Sequence, residues 1–205
     1  MIHTLLQQLI NTPWYEYLAV FTGILSVWYS KQENILVYPV GLISTFIYIY
    51  LCIAGRLFGE ASVNIYYTVM SIIGWYLWLT KNKKTNDTLH ISFSTKKELQ
   101  FQFLFFISLY IVLYYILKVL KQYFVGAIPT PDALATASAY TGMYLMVRKK
   151  VESWYWWMVT NIVSIPLFYY KGYIVTSIYY IILLLLAVYG LQAWRQKAIV
   201  KHVHL

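Results

Sequence analysis

The chain has 205 residues, of which 60% are hydrophobic and only 11% are charged. Soluble domains carry about 25% charged residues, so this composition excludes a soluble protein and predicts an integral membrane protein whose partner is the lipid bilayer. The formal net charge of +9 comes from residues between the apolar runs, where they would face anionic lipid and cytoplasm. The sequence has no basic stripe or nucleic-acid-binding motif, so we expect no nucleic-acid partner.

The first half of the chain predicts three membrane-spanning helices. Residues 1–11 have apolar side chains near helical spacing but are too short to cross a bilayer, so we expect an interfacial helix there. Thr12 and Pro13 are typical of a helix start. The spans that follow are apolar runs separated by polar turns, and they cover residues 14–30, 35–54 and 61–80.

The second half predicts four more helices. After the lysine-rich loop 81–98, the span 99–120 is nearly all Phe, Leu, Ile and Tyr, and we interpret it as a linking helix without chemistry of its own. The fifth span, 132–147, is rich in small residues that let helices approach closely. The sixth span ends near Lys171, the seventh covers 173–194, and the last eleven residues are predicted to form a polar, basic tail.

Like residues recur at a nearly constant separation, which predicts an internal repeat. The separations are 117, 117, 116 and 116 positions in the pairs Lys31–Arg148, Gly55–Gly172, Gly74–Gly190 and Trp78–Trp194. One deletion in the last loop reconciles them, so helices 1–3 match helices 5–7. The predicted fold is therefore an all-α integral membrane domain over residues 1–205, with seven transmembrane helices. Two parallel three-helix bundles, 14–80 and 132–194, are joined by the linking helix 99–120.

The sixth span carries a polar and aromatic stripe inside an apolar helix. At about 100° per residue, Trp154, Trp157 and Asn161 fall on one face within an arc of roughly 60°. An Asn amide in a bilayer costs several kcal/mol unless it is hydrogen-bonded. Together with two flat indole rings it predicts a binding surface for a polar heteroaromatic molecule. The alternative is an interfacial aromatic belt with one Asn bonded to a neighbouring helix.

A second stripe lies on the third span. It combines an amide, a phenol, a hydroxyl and two indoles within an arc of about 80°, at Asn64, Tyr67, Ser71, Trp75 and Trp78. On the second span, Tyr48 shares a face with Ser44. We predict that Asn64, Tyr67, Ser71 and Trp75 of this stripe, together with Tyr48, bind the substrate from the side of the first bundle. The alternative is helix packing with aromatic anchors.

The predicted repeat makes the two halves unequal. In its register, Trp154, Trp157 and Asn161 correspond to Val37, Val40 and Ser44. The first half would therefore offer its polar face from helix 3, and the second half from helix 6. We expect one site near the membrane midplane between the bundles, suited to an asymmetric ligand.

The positions of the acidic residues exclude several functions. They lie near the ends of spans or at a mouth, at Glu16, Glu60, Glu152 and Asp132. Because proton and sodium relays usually use a carboxylate at depth, we expect no ion coupling. The spans also hold no nucleophile, paired acids or metal cluster at depth. We therefore predict no catalytic residue, no metal and no cofactor, and a protein that is not an enzyme.

Three motifs resemble the signature of the Pnu family of bacterial vitamin transporters. They are W-x-x-W-x-x-x-N from Trp154 to Asn161, Y-P-V-G from Tyr38 to Gly41, and N-x-Y-Y-T-V-M-S-I-I-G-W-Y-L-W from Asn64 to Trp78. The resemblance covers about residues 14–195. It implies the three-plus-one-plus-three class that includes the SWEET sugar transporters, and it places the family's substrate-binding motif at Trp154, Trp157 and Asn161.

The resemblance also implies a function. The best-known branch carries nicotinamide riboside across the bacterial inner membrane by facilitated diffusion, and a cytosolic kinase traps the vitamin inside. It further implies a homotrimer. Sibling branches carry thiamine or riboflavin, and the motif does not separate them. Thiamine, also a flat cation, is the alternative substrate, and a SWEET-type sugar carrier is the alternative class.

Loop charges predict the orientation. The loops after helices 1, 3 and 5, with the tail, hold 12 of the 16 Lys and Arg residues, against 4 on the opposite side. By the positive-inside rule the N-terminus is outside and the C-terminus is cytoplasmic.

Overall fold

The computed structural model describes residues 13–54, 58–80, 89–122 and 127–203. Over these residues the chain forms seven α-helices: α1 Trp14–Gln32, α2 Val37–Ala54, α3 Phe58–Leu79, α4 Lys96–Leu120, α5 Pro129–Val147, α6 Ser153–Tyr170 and α7 Ile174–Val203. Each predicted span coincides with one helix, so the predicted all-α fold with seven helices is confirmed. The predicted interfacial helix over residues 1–11 lies outside the described residues. Among the described helices, α2, α4 and residues 174–200 of α7 are long and apolar enough to cross a membrane by length and composition.

The end of the last helix differs from the prediction. The tail expected from residue 195 onward continues α7 as far as Val203. Gln, Ala, Arg and Lys are good helix formers, and no Gly or Pro follows Gly190 to stop the helix. Ala198, which is 2% exposed, packs within the fold and holds this extension in place. Polarity alone was therefore a poor indicator of the helix end.

The described chain divides into two compact units, residues 1–90 and 91–205. The linking helix α4 belongs to the second unit. It begins with a capping box, in which the Thr95 hydroxyl accepts from the Glu98 N–H and the Glu98 carboxylate accepts from the Thr95 N–H. Its Gln102, only 1% exposed, accepts a hydrogen bond of 2.9 Å from Trp156 Nε1. The linking helix therefore has a specific polar contact with α6.

The turns between the first two helices of each repeat have the same backbone geometry. Glu33 and Lys149, which are 116 positions apart, are the two non-glycine residues with positive φ in the described chain, at 65° and 53°. The N–H of the next residue then bonds back to the preceding helix, from Asn34 to the Tyr29 carbonyl at 2.9 Å and from Lys150 to the Leu145 carbonyl at 3.0 Å. These partners are again 116 positions apart, so the two turns are copies of each other.

The same separation relates the helix contacts beyond the turns. Tyr38 on α2 lies edge-on to Trp78 on α3, with ring centroids 5.1 Å apart, and Trp154 on α6 lies edge-on to Trp194 on α7 at 5.5 Å. The Tyr38 ring also lies directly on Gly74 of α3, and the Trp154 ring lies directly on Gly190 of α7. Nearer the middle of the helices, the Ser44 hydroxyl donates to the Ala19 carbonyl, and the Thr160 hydroxyl donates to the Ala135 carbonyl.

These contacts correct the predicted register of the repeat. The separation is 116 positions on both sides of the turn, so Trp154 corresponds to Tyr38 and not to Val37. By the same step Trp157 corresponds to Gly41, and Asn161 corresponds to Thr45. The predicted register was wrong by one residue because it was anchored on Lys31 and Arg148, which share a charge but not a position in the turn.

We predict that Gly190→Ala destabilises the protein, because the added Cβ would overlap the Trp154 ring. Overpacking of this kind costs about 1–3 kcal/mol, or roughly 2–10 °C in the melting temperature of a chain of this size. The measurement is thermal unfolding in detergent. The double variant Gly190→Ala with Trp154→Leu should recover part of the loss because the smaller side chain vacates the space. A melting temperature unchanged by Gly190→Ala would contradict the packing described.

Candidate functional site

Helix α6 is fixed on three sides within the second unit. At its start, the Glu152 carboxylate accepts hydrogen bonds from the Ser94 N–H at 3.0 Å and from the Ser94 hydroxyl at 2.8 Å. Toward α5, the Thr160 hydroxyl lies 3.4 Å from the Ala135 carbonyl, and it is 3.0 Å from the Trp156 carbonyl of its own helix. Toward α7, the Ile165 carbonyl accepts from the Ser177 hydroxyl at 2.8 Å. The polar stripe of α6 therefore lies on a helix whose rotation is fixed.

Asn161 is the most unusual side chain of that stripe. It lies on the middle of α6 and is only 3% exposed. No hydrogen bond of its amide is found among the described residues, and the amide keeps a small accessible surface. Leaving a buried amide without partners costs about 1–3 kcal/mol, so buried side chains of this kind are normally paired. An amide that stays unpaired in the ligand-free protein is suited to hydrogen-bond a ligand.

Trp157 lies one turn before Asn161 and is half-buried. It rests on Gly142 of α5, where an added Cβ would lie 3.3 Å from the ring carbons Cδ2 and Cε2. The lack of a side chain at Gly142 therefore determines how closely the Trp157 ring approaches α5. Since the ring is not fully covered, it has surface left for contact with a ligand.

Trp154 has a different environment. It is 1% exposed, lies on Gly190 and meets Trp194 edge-on at an interplanar angle of 89°. Its Nε1 is buried without a hydrogen-bond partner in the described chain. In this conformation the ring joins α6 to α7, and its predicted contact with substrate stays a prediction.

Trp156 contacts the linking helix α4. Besides its hydrogen bond to Gln102, its ring lies 4.6 Å from that of Phe106 and 5.6 Å from that of Phe103. Tyr155, in contrast, is 46% exposed. Trp156 is therefore a structural residue of the second unit, and Tyr155 is the better neutral control for substitutions on α6.

The predicted site residues of the first unit have varied surroundings. The Asn64 amide is half-buried and donates to the Glu60 carbonyl one turn earlier, at 2.9 Å. Ser71 is 6% exposed and Trp75 is 37% exposed. Tyr67, whose ring is 6.2 Å from that of Tyr66, and Tyr48 are half-buried. Asn64 thus differs from Asn161, because the carbonyl of its own helix already satisfies part of its amide.

The charges nearest to α6 are paired at its two ends. Lys171 binds Asp132 at 2.7 Å, and Lys150 binds Glu98 at 3.0 Å. Asn161 lies nine residues after Glu152 and ten before Lys171, which is about 14–15 Å along a helix. In residues 13–54, 58–80, 89–122 and 127–203, no group of three or more His, Cys, Asp and Glu could hold a metal ion. The surroundings of Asn161 on α6 are therefore neutral.

Several residues at this site could not be found from the sequence. Gly142 and Gly190 carry no functional group, and their role is to let an aromatic ring approach the helix. Gln102 is different, because the sequence does carry a signal for it. Gln100 and Gln102 are amides near the start of a span of Phe, Leu and Ile, and an amide at such a position indicates a buried partner.

A seven-helix membrane fold with a neutral, aromatic and amide-lined helix is typical of a carrier for a small organic molecule. The sequence profile of the nicotinamide mononucleotide transporter family matches residues 13–196. The chain belongs to this family of membrane transporters, which agrees with the resemblance seen in the sequence, and it is a multi-pass membrane protein.

Two curated relatives show the range of the family. The nicotinamide riboside transporter PnuC of Escherichia coli is 24% identical over 92% of this chain and 87% of its own length. The riboflavin/roseoflavin transporter RibM of Streptomyces davaonensis is 22% identical over 88% of this chain and 84% of its own. Both relatives are named as transporters, which supports the prediction that this chain is not an enzyme.

A solved structure shares the fold. The crystal structure of the vitamin B3 transporter PnuC matches with a TM-score of 0.70 and 22% identity, over 94% of this chain and 86% of the other. At this identity the likeness concerns the fold alone. It is consistent with the seven helices described above.

We predict that Asn161→Leu raises the thermal stability of the ligand-free protein. The substitution removes an unpaired buried amide, a gain of about 1–3 kcal/mol or a few degrees in melting temperature. Thr160→Val is the matched control at the next position, and it should lower stability because Thr160 bonds to the Ala135 carbonyl. Destabilisation by Asn161→Leu would show that the amide has a structural partner and is not reserved for a ligand.

Proposed function

We propose that the protein is a facilitative transporter that takes up nicotinamide riboside across the bacterial inner membrane. The observation that carries the proposal is the buried Asn161 amide without a partner in the described chain, one turn from the half-buried Trp157 ring. Membership of the family and the riboside named for the relative from Escherichia coli support the choice of substrate.

The chemistry of this vitamin fits the two side chains. Nicotinamide riboside has a pyridinium ring, a carboxamide and a ribose. An indole face attracts a cationic ring with about 0.5–2 kcal/mol. A side-chain amide can donate to and accept from a carboxamide or a hydroxyl. We therefore assign Trp157 to the ring and Asn161 to the polar substituent.

The neutral surroundings of Asn161 favour the riboside over the mononucleotide for which the family is named. A phosphate is normally bound by Arg, Lys or the N–H groups of a helix N-terminus. Asn161 is about two turns or more from either end of α6, and both Lys150 and Lys171 are engaged by carboxylates. A bound phosphate at this depth would lack a cationic partner on α6, so the mononucleotide should bind weakly.

The proposed transport is uncoupled from ion gradients. In this view the vitamin moves down its own gradient, a cytosolic kinase traps it, the protein assembles as a homotrimer and the C-terminus is cytoplasmic. The midplane location of the site, and the binding of the same substrate by Asn64, Tyr67, Ser71, Tyr48 and Trp75, stay predictions. Their support is the sequence pattern.

Other vitamins are the alternative substrates. Thiamine is a flat cation that would use the same indole face. A flavin is favoured by one observation, the match to a riboflavin/roseoflavin transporter over 88% of this chain. A direct competition between the three vitamins separates these possibilities.

We predict that the purified protein binds nicotinamide riboside more tightly than its mononucleotide, thiamine or riboflavin in titration calorimetry. Trp157→Ala should weaken binding of the riboside about five- to thirtyfold, the loss of roughly 1–2 kcal/mol of stacking. Tyr155→Ala, on the exposed face of α6, should leave the affinity unchanged. Tighter binding of thiamine or riboflavin would reassign the substrate, and equal losses in the two variants would remove Trp157 from the site.

We also predict that uptake follows the substrate gradient alone. Protein reconstituted in vesicles should equilibrate labelled nicotinamide riboside at the same rate with and without ionophores that collapse proton and sodium gradients. Concentration of the label above equilibrium, in a manner that depends on an ion gradient, would refute facilitated diffusion. Enclosing a purified riboside kinase with ATP in the vesicles should then produce net accumulation of the phosphorylated product.

A further inference from the structure

In the first unit, the counterpart of Asn161 has a hydrogen-bond partner on the neighbouring helix. That counterpart is Thr45 on α2, which is 9% exposed. The Thr68 hydroxyl on α3 lies 2.9 Å from the Thr45 hydroxyl and 2.9 Å from the Asn64 carbonyl of its own helix, and Thr45 donates to the Leu42 carbonyl at 3.2 Å. The polar group at this level is therefore paired across the two helices.

The second unit has a leucine where this partner would lie. The repeat of 116 positions places Leu184 of α7 at the position of Thr68, and Leu184 is half-buried. A leucine has no hydrogen-bonding group, so it cannot pair with Asn161. The contrast gives a structural reason for the unpaired amide.

The packing of α6 against α7 supports this placement independently of the repeat. Ser177 of α7 meets the Ile165 carbonyl, and Gly190 meets Trp154. Because the helices run antiparallel between these contacts, the level of Asn161 on α6 falls between Ser177 and Gly190 on α7, where Leu184 lies. The buried positions of α7 also repeat those of α3, with Ala187 and Trp194 in place of Ser71 and Trp78.

We propose that Leu184 is a specificity-determining residue, which keeps the Asn161 amide free for the polar substituent of the substrate. The role given to that amide rests on the proposed function. A hydroxyl at position 184 would close an internal hydrogen bond like the one between Thr68 and Thr45, and the substrate would have to break it. Leucine supplies an apolar wall in its place and leaves the hydrogen-bonding capacity of the amide to the ligand.

The test compares Leu184→Thr with Leu184→Val, two side chains of nearly the same shape that differ by the hydroxyl. In titration calorimetry with nicotinamide riboside, Leu184→Thr should bind about five- to tenfold more weakly than Leu184→Val, the cost of breaking one internal hydrogen bond. Without ligand, Leu184→Thr should melt at a higher temperature than Leu184→Val. Equal affinities and equal melting temperatures in the two variants would overturn the proposal.

A second pair of variants separates this proposal from the proposed function. In an Asn161→Ala background, the higher melting temperature of Leu184→Thr relative to Leu184→Val should be lost, because the hydroxyl then has only the carbonyl of its own helix, as Thr68 has with Asn64. If the difference persists, the hydroxyl bonds elsewhere and Leu184 does not control Asn161. If the wild-type protein binds no vitamin, the proposed function fails, while the melting temperatures still decide whether Leu184 leaves the amide unpaired.

Discussion

The packing of each half depends on one contact, an aromatic ring lying on a glycine of the next helix. In lipid there is little hydrophobic drive for helices to associate, so close packing has to supply the attraction. Tyr38 on Gly74 and Trp154 on Gly190 provide it at matching positions. Each ring buries a polar atom, the Tyr38 hydroxyl and the Trp154 Nε1, without a partner in the described chain. The packing gained must outweigh a cost of about 1–3 kcal/mol for each.

This contact also sets where the polar groups in the middle of the helices lie. Thr45 follows Tyr38 by seven residues, and Asn161 follows Trp154 by seven, which is about two helical turns and returns to nearly the same face. Anchoring the ring therefore fixes the depth and direction of the next polar side chain. The two halves differ at this level, since Thr45 is paired with Thr68 and Asn161 has no partner in the described chain, with Leu184 at the position that corresponds to Thr68. The asymmetric site predicted from the sequence stays a prediction.

Much of the fold could be predicted from the sequence, because apolar runs of about 20 residues and polar turns are local signals. The face shared by Trp157 and Asn161 also follows from helical periodicity. The register of the repeat could not be derived from the sequence, because the positions that define it, such as Glu33 and Lys149, share backbone geometry but are chemically unlike. The burial of Trp154 and Trp157 could not be predicted from the sequence either. Whether an indole is covered depends on a glycine of another helix, and the spacing within α6 carries no information about that.

A neutral site is the physically consistent choice for a carrier that only equilibrates a cationic vitamin. A carboxylate at the depth of Asn161 would bind a pyridinium ring strongly in a medium of low dielectric constant, and each release would have to overcome that attraction. It would also titrate, and so link transport to protons. An indole face and an amide bind more weakly and carry no net charge, so release to either side is limited by a few kcal/mol. In the mechanism that we propose, direction comes from the kinase that consumes the riboside and not from the carrier. In this view the apolar neighbour leaves the hydrogen-bonding capacity of the amide to the substrate, while the lack of a net charge keeps release to either side easy.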